Sequence, residues 1–569
     1  MERSIKLKLF GVAALTSLLA SCGGSGTRKD EDPNKTQLYV YSWNGGYGTT
    51  WLQNAINLFE EQSKNKSYEV GKTGVQVHIH ADKSNTAMGG MTQFDNSRDD
   101  VFFTEGVDYY GFTHAQGGNR FLDLTDVVTE TSEFDGRTIQ SKFNQAEDDF
   151  LKLDDKYYAI PHYSGFYGLV YNVDMFNKNN FYVDADGEIT AVSGKEKGLG
   201  PDGVAGTADD GLPQTYDQFF NLCTYIRAQN IYPIHWTGQY HAQYVGGLMR
   251  SLAIDADGAD TTMLQSTFDG SYDTAIKVDA SGKPSELTLD ATGRHATSIG
   301  VESATIRDTQ GQRQNAYRTL GTYYAAEFVN RLVHSDGEAS SFYSQTAFKS
   351  TYSHLAAQSD FIRSGTRYAT QLDGQQANYA MLVDGPWWES EARDSFADLE
   401  KQDANMAREK RNFAWMALPF PTAEMVGKRH TLADSIRSYG FAKAKMSDAK
   451  KAAAKDFLRF VYSDDQLVAF TRDTGVMRNL NYTMPESTLS QMSPYSQSLA
   501  RYMSSSDLLF PYVNSTFFRS NQTRLLDGAS FYQCTIQGNS RKAVDAFRVL
   551  SDLTTSDWFA AFYNSKKDE

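Results

Sequence analysis

Gln37-Leu-Tyr-Val-Tyr-Ser42, followed by Trp43-Asn44-Gly45-Gly46-Tyr47-Gly48 and, further on, by Val75-Gln-Val-His-Ile-His80, is the stretch on which the fold turns. The first run is β-like, and the second alternates apolar and polar residues with period two. Between them Thr49 or Thr50 can cap a helix whose apolar residues are Trp51, Leu52, Ala55, Ile56 and Phe59. A strand, a helix and a strand in so short a span make a βαβ unit, which implies parallel pairing and an α/β sheet. Asp100-Val-Phe-Phe103 reads as a third strand. In open α/β sheets ligands sit at the carboxyl ends of strands, against helix N-termini. The loop Trp43 to Gly48, with three glycines, a Trp and a Tyr, is therefore a recognition loop.

Composition narrows the function. The chain has 569 residues, with 55 Lys+Arg against 70 Asp+Glu and 13% aromatics, which suits a globular protein of more than one domain. A formal net charge of −15 argues against nucleic acid, whose phosphates need a basic surface. Cysteines at 22, 223 and 534 form neither a disulfide framework nor a zinc spacing. Cys223 falls on the apolar face of the helix that Thr215 caps, with Phe219, Phe220, Leu222 and Ile226, and reads as a small core residue.

The first residues bear on compartment. Arg3, Lys6 and Lys8 precede an uncharged run from Leu9 to Ala20. That run is shorter than the about 20 apolar residues a membrane span takes, and matches a signal-peptide core. It ends in Leu19-Ala20-Ser21-Cys22, which resembles a bacterial lipobox. The expectation is a signal peptide over 1–21, lipidation (palmitate included) at Cys22, and a flexible tether over 22–36. The protein would then be extracytoplasmic and held on the cell membrane by lipid.

Further along, Asp155-Lys-Tyr-Tyr-Ala-Ile-Pro161 leads into Gly168-Leu-Val-Tyr-Asn172-Val-Asp174-Met-Phe. This passage resembles the "G-K-x-Y-A-x-P … G-x-x-Y-N-x-D-x-F" of family 1, maltose-binding-like extracellular solute-binding proteins of ABC importers. Leu212-Pro213-Gln-Thr215-Tyr216-Asp217-Gln-Phe219 is similar to that group's "P-x-T-W-D-E-F", and Tyr379 to Trp387 to its "A-M-x-x-x-G-P-W". Arg437 to Lys443 and the helix over 452–464 follow in order, and Thr474-Gly475-Val-Met-Arg478 differs from "T-G-x-x-P-x-R" by Met477 in place of proline.

The resemblance implies a two-lobed periplasmic-binding-protein-like α/β fold of type II, each lobe a mostly parallel sheet flanked by helices, with a hinge between. Lobe one would take 37–161 and 432–480, and lobe two 162–431 and 481–569. It also implies an oligosaccharide ligand, no required cofactor and no bond broken. The partners would be ABC permease subunits with a separate ATPase, since the chain has no phosphate-loop motif. A monomer without nucleic acid is expected.

Sugars present hydroxyls to carboxylates and amides, and C–H faces to aromatic rings. The candidates are Trp43, Asn44 and Tyr47 after the first strand, and Glu105, Asp108 and Tyr109 after the third. His162 and Tyr163 come from the hinge, Trp236 and Tyr240 from after the 216–229 helix. Asp384, Trp387 and Trp388 follow in the Gly-Pro-Trp turn, and Arg437 and Tyr439 in the late crossover.

Two insertions, 181–213 and 255–315, exceed the usual family member. In the first, Asp184, Asp186, Asp202, Asp209 and Asp210 lie among glycines as in a calcium loop, although Lys195 stands at the twelfth position where an EF-hand has glutamate. A structural calcium site and a solvated acidic loop both fit. The second insertion is polar throughout and is expected to decorate the surface. A peptide or polyamine in the same cleft is the alternative ligand, and a secreted glycoside hydrolase, with Glu105 and Asp108 as its carboxylates, the remote alternative.

Overall fold

A computed structural model describes residues 30–83, 88–201, 203–307, 312–333, 341–513, 532 and 542–551. The proposed signal peptide, Cys22 and Asp202 lie outside the described residues.

Strand β1 (Thr36–Trp43), helix α1 (Thr50–Gln62) and strand β2 (Val75–Asp82) form the βαβ unit that the opening sequence predicts. β1 pairs in parallel with β2 on one side and with β3 (Val101–Thr104) on the other. Next in the chain come β4 (Ile160–Pro161), β5 (Gly168–Asn172), α2 (Tyr216–Ala228), β6 (Tyr232–His235) and α3 (His241–Thr267). They are followed by β7 (Tyr379–Asp384), β8 (Phe413–Met416), β9 (Tyr439–Ala442), α4 (Asp448–Val461) and α5 (Asp464–Thr474). The first sheet has the order β2-β1-β3-β9-β4 and the second β8-β5-β7-β6. β9 arrives antiparallel to β3 and β4, and β5 antiparallel to β7 and β8, so each sheet is mixed where a mostly parallel one is expected. The reason is topological: a strand that enters a sheet from the other lobe arrives from the cleft end and must run the opposite way.

The sequence explains the helices that back the first sheet. Trp51, Leu52, Ala55, Ile56 and Phe59 give α1 one buried face, and Ala453, Ala454, Phe457, Leu458 and Val461 give α4 another. Ser447 accepts from the Lys450 amide to cap α4, and Thr215 accepts from the Gln218 amide to cap α2. Phe457 is fully buried, edge-on to Phe59 at 5.1 Å and near Phe103 at 6.4 Å. Cys223 is fully buried on α2, as its face predicts.

The insertion at 255–315 is not mere decoration. α3 continues through residue 255 to Thr267, with non-helical backbone at Gly258 (φ 76°). The antiparallel pair Asp269–Ile276 and Val301–Arg307 follows it. Phe268, Tyr272, Ala275, Ala304, Ile306, Ala316 and Tyr317 make a small core there. Only one face of this strand pair is apolar, so the average composition hides it.

The insertion at 181–213 is anchored by buried Phe181, Tyr182, Val183, Ile189 and Leu212. Asp184 Oδ1 accepts from the amides of Asp186 (2.9 Å) and Glu188 (3.0 Å), which closes an Asx-type turn. Lys195 Nζ lies 2.5 Å from Asp186. Asp209 accepts from Thr207 Oγ1, and Asp210 from the Gly206 amide. Among the described residues no three His, Cys, Asp or Glu side chains converge as a metal site, and none of the helices is long and apolar enough to cross a membrane.

Phe457→Ala removes a side chain that α1, α4 and β3 share. It should cost about 3–5 kcal/mol, read as a lower midpoint in denaturant titration at unchanged slope.

Candidate functional site

Two stretches of chain pass side by side between the sheets. The first, His162 to Tyr167, leaves β4 for β5, and the second, Asp434 to Ser438, leads back into β9. They are tied by Ser435 N to Gly165 O (2.8 Å) and His162 N to Ser438 O (2.9 Å). The buried Asp434 carboxylate accepts from Gly165 N at 3.0 Å and Arg437 N at 3.1 Å. It thereby holds Arg437 at a φ of 49°, a left-handed conformation that costs a non-glycine residue free energy. This double crossover is the hinge.

The loops at the carboxyl ends of β1 and β3 face lobe two above it. Tyr163 Oη donates to Glu105 Oε2 at 3.1 Å, and the Tyr47 and Tyr163 rings meet edge-on at 4.5 Å. From the other side, β7 ends in Asp384, whose carboxylate accepts from the Gly385 amide (2.8 Å) and from Gln358 Nε2 (3.1 Å). Trp387 meets Tyr167 edge-on at 5.3 Å, and Tyr167 meets Tyr244 at 5.4 Å. The lobes touch here. Gly46 has a φ of +38°, and a Cβ on it would lie 2.9 Å from Trp387 Cβ, so the residue must be glycine for the loop to approach. Ser390 Oγ of lobe two also donates to Thr474 O of lobe one at 2.8 Å.

The electrostatics of this junction are acidic. Burial, reinforced by the charges of Asp434 and Glu391, pushes the Glu105 carboxyl up to about 8 despite the Tyr163 hydrogen bond. Burial, with Glu391 beside it, drives Asp384 well above the usual carboxylate range, and burial also raises Asp434. Beneath the hinge Arg478 is 1% exposed, with its guanidinium 4.3 Å from the Phe470 ring centroid and 5.0 Å from that of Trp51.

The structure thus brings together Tyr47, Glu105, Tyr163, Asp384 and Trp387. Trp43 and Asn44 stand at the same loop, half-buried, and the Trp43 ring folds over Gly45. Arg437 lies in the hinge beside Asp434.

The other candidates lie apart from this group. Trp236 is fully buried and donates Nε1–H to Ala347 O, so the chain after α2 places its Trp in the core. Trp388 is fully buried among Phe361, Phe413 and Tyr495, because the turn after Trp387 starts a helix that directs it inward. Tyr109 is buried and donates to Leu151 O, and exposed Asp108 caps the short helix Tyr109–Thr113 through the Gly111 amide. His162 is buried between Trp51, Phe103 and Phe470, where desolvation and then Arg478 hold its pKa well below the usual value. Tyr439 is buried within β9. Tyr240 is 40% exposed, 5.7 Å from the His354 ring. Sequence reasoning missed Tyr167, Tyr244, Gln358 and Glu391. Only Glu391, seven positions after Asp384 in a Trp-Trp-Glu-Ser-Glu run, had a sequence cue.

The folded state keeps a proton on Glu105 that the unfolded chain, with its carboxyl near 4.5, gives up. Stability of the empty protein should therefore fall as pH rises from 4.5 towards 8, since the native state there binds more protons. Glu105→Gln should flatten that slope in a melting-temperature profile, with Asp384 and Asp434 supplying the remainder. An unchanged slope would sink the assignment.

No protein-family model matches the chain, and no curated protein matches it in sequence. Solved structures do match its shape. The SBP RafE in complex with raffinose is 12% identical with a TM-score of 0.50, covering 91% of this chain and 99% of RafE. A chitin oligosaccharide binding protein is 15% identical with a TM-score of 0.49, over 91% of this chain and 99% of its own. A cyclic alpha-maltosyl-1,6-maltose binding protein from Arthrobacter globiformis is 12% identical with a TM-score of 0.49, over 94% of this chain and all of its own. With its two mixed sheets and paired crossover, the chain has the two-lobed α/β fold of solute-binding proteins such as RafE.

Proposed function

We propose that this protein captures a carbohydrate between its two lobes and delivers it to an ABC permease, without chemical change to the ligand. The observation that carries the reading is the junction itself, where Glu105 and Asp384 meet Tyr47, Tyr163, Tyr167 and Trp387 at the ends of β1, β3 and β7. Carboxylates accept hydroxyl hydrogen bonds and fix orientation, and aromatic rings cover the apolar faces of a sugar. The raffinose bound by RafE belongs to the same chemistry. A ligand that bridges the lobes binds the closed form better and shifts the population towards it. In this reading the pore and the ATPase are separate polypeptides, and Cys22 carries the lipid that holds the protein outside the membrane.

A thermal-shift panel of mono- and oligosaccharides tests the ligand. A sugar at about a hundred times its Kd should stabilise the fold by about 2.7 kcal/mol, and chromatography should return it intact. No shift with any sugar would overturn the carbohydrate reading, and a cleaved sugar would make the protein a hydrolase. For the anchor, Cys22→Ser should move the protein from the membrane fraction to the soluble fraction when expressed in a bacterium. Retention in the membrane fraction would count against lipidation.

A further inference from the structure

Tyr47 follows Gly46 in the lobe-one loop, where a Cβ on Gly46 would lie 2.9 Å from Cβ of Trp387, three residues after Asp384 in lobe two. The Tyr47 side chain is 7% exposed, and its hydroxyl has no hydrogen-bond partner. The charges acting on that hydroxyl are Glu105 and Asp434, and, from across the junction, Glu391 and Asp384. In lobe two a single amide serves both carboxylates. Gln358 Nε2 donates to Asp384 Oδ2 at 3.1 Å and to Glu391 Oε2 at 2.8 Å. Gln358 is fully buried and its Oε1 is unpartnered. Among the described residues no Lys or Arg forms an ion pair with Asp384 or Glu391. The basic group beside them is His354, with Nε2 3.6 Å from Glu391 Oε1.

Two carboxylates taken out of water need compensating charge as well as hydrogen bonds. A neutral sugar hydroxyl supplies a donor and leaves the charge. An alkylammonium supplies three N–H donors and a positive charge, and charge-assisted bonds of this kind are about twice as strong as neutral ones. The unpartnered Tyr47 oxygen can accept one of those N–H groups. Tyr167, Tyr244 and Trp387 pack edge-on against one another beside these carboxylates, and the Trp387 side chain also hydrogen-bonds Asp384. A divalent metal fits less well, because the described residues bring no third carboxylate or histidine into a metal-binding group there. Burial and the neighbouring Glu391 keep Asp384 well above its usual range, which is how the empty site tolerates the pair.

We infer that Asp384, Glu391 and the Tyr47 hydroxyl form a subsite for a protonated primary amine, so that the glycan taken by this cleft carries an amino sugar. This rests on the carbohydrate reading for the glycan and on the junction alone for the amine.

Isothermal titration of the full-length protein separates the two. The probes are a glucosamine tetramer, its fully N-acetylated counterpart, a neutral glucose tetramer and spermidine. The free-amine tetramer should bind at least tenfold tighter than the acetylated one, and Glu391→Gln, at a helix end where the side chain is 18% exposed, should close most of that gap. Asp384→Asn should do the same, provided its melting temperature matches the wild type. Equal binding of the two tetramers, or tighter binding of the acetylated one, overturns the amine subsite and leaves the carbohydrate reading standing. Spermidine binding without any oligosaccharide keeps the subsite and removes the glycan. Failure of every probe overturns both.

Discussion

The Asp434 carboxylate is the constraint on which the rest depends. It is buried at the point where the chain passes between lobes, and it accepts backbone N–H groups from both crossing segments, at Gly165 and at Arg437. Hydrogen bonds to a charged acceptor contribute about 1.5–3 kcal/mol each, enough to hold Arg437 in a left-handed conformation that costs about 1–3 kcal/mol. With the two strands of the hinge in fixed register, β9 enters the first sheet beside β3, and the Glu105 loop is placed over the crossover through Gly106 N to Ile436 O at 2.9 Å. Tyr512 Oη donates to the Asp434 carbonyl at 3.0 Å, so the C-terminal segment also packs on this node.

From the hinge outward, the junction concentrates acid against aromatic surface. Each lobe contributes carboxylates at the carboxyl end of a strand, Glu105 after β3 and Asp384 at the end of β7, and each presents tyrosine to the other. Such a surface is ill-satisfied when empty and gains from a ligand rich in donors. The close approach of Gly46 to Trp387 and the Ser390 to Thr474 hydrogen bond show how little separates the lobes in this conformation. Under the proposed function, opening on the hinge would expose the carboxylates to water, and closing on a ligand would replace that water with matched donors. In that proposal the same few contacts would serve both recognition and closure.

Some of this was legible in the residues. The strand over 75–80, the apolar face of α1 and the Thr215 cap are local properties, and the structure has each where the pattern places it, whereas Thr49 stands at the start of α1 without a side-chain capping bond. Of the candidate residues, Tyr47, Glu105 and Asp384, each at or just after the end of a strand, do lie at the junction. Aromatics were the weak point, because one Trp or Tyr suits a sugar face and a core equally well. Trp387 and Trp388 are adjacent in sequence, yet one meets Tyr167 at the junction and the other is sealed among Phe361, Phe413 and Tyr495. Polar averages misled in the opposite direction at 255–315, where a half-apolar strand pair builds its own small core.

By itself the sequence determined the α/β class, the βαβ start, the helix faces, the Thr215 cap, and the acidic, cysteine-poor character. Each of these follows from period, propensity or charge within a short window of chain. Only the tertiary structure decided which groups face one another across the junction. Gln358, Glu391 and Tyr47 come from three distant segments, and no local pattern links them. Their meeting depends on the register set at the hinge by Asp434 and on which way the strands of a mixed sheet run. Burial follows from that assembly, and burial is what shifts ordinary carboxylates and tyrosines away from their usual titration ranges at the junction.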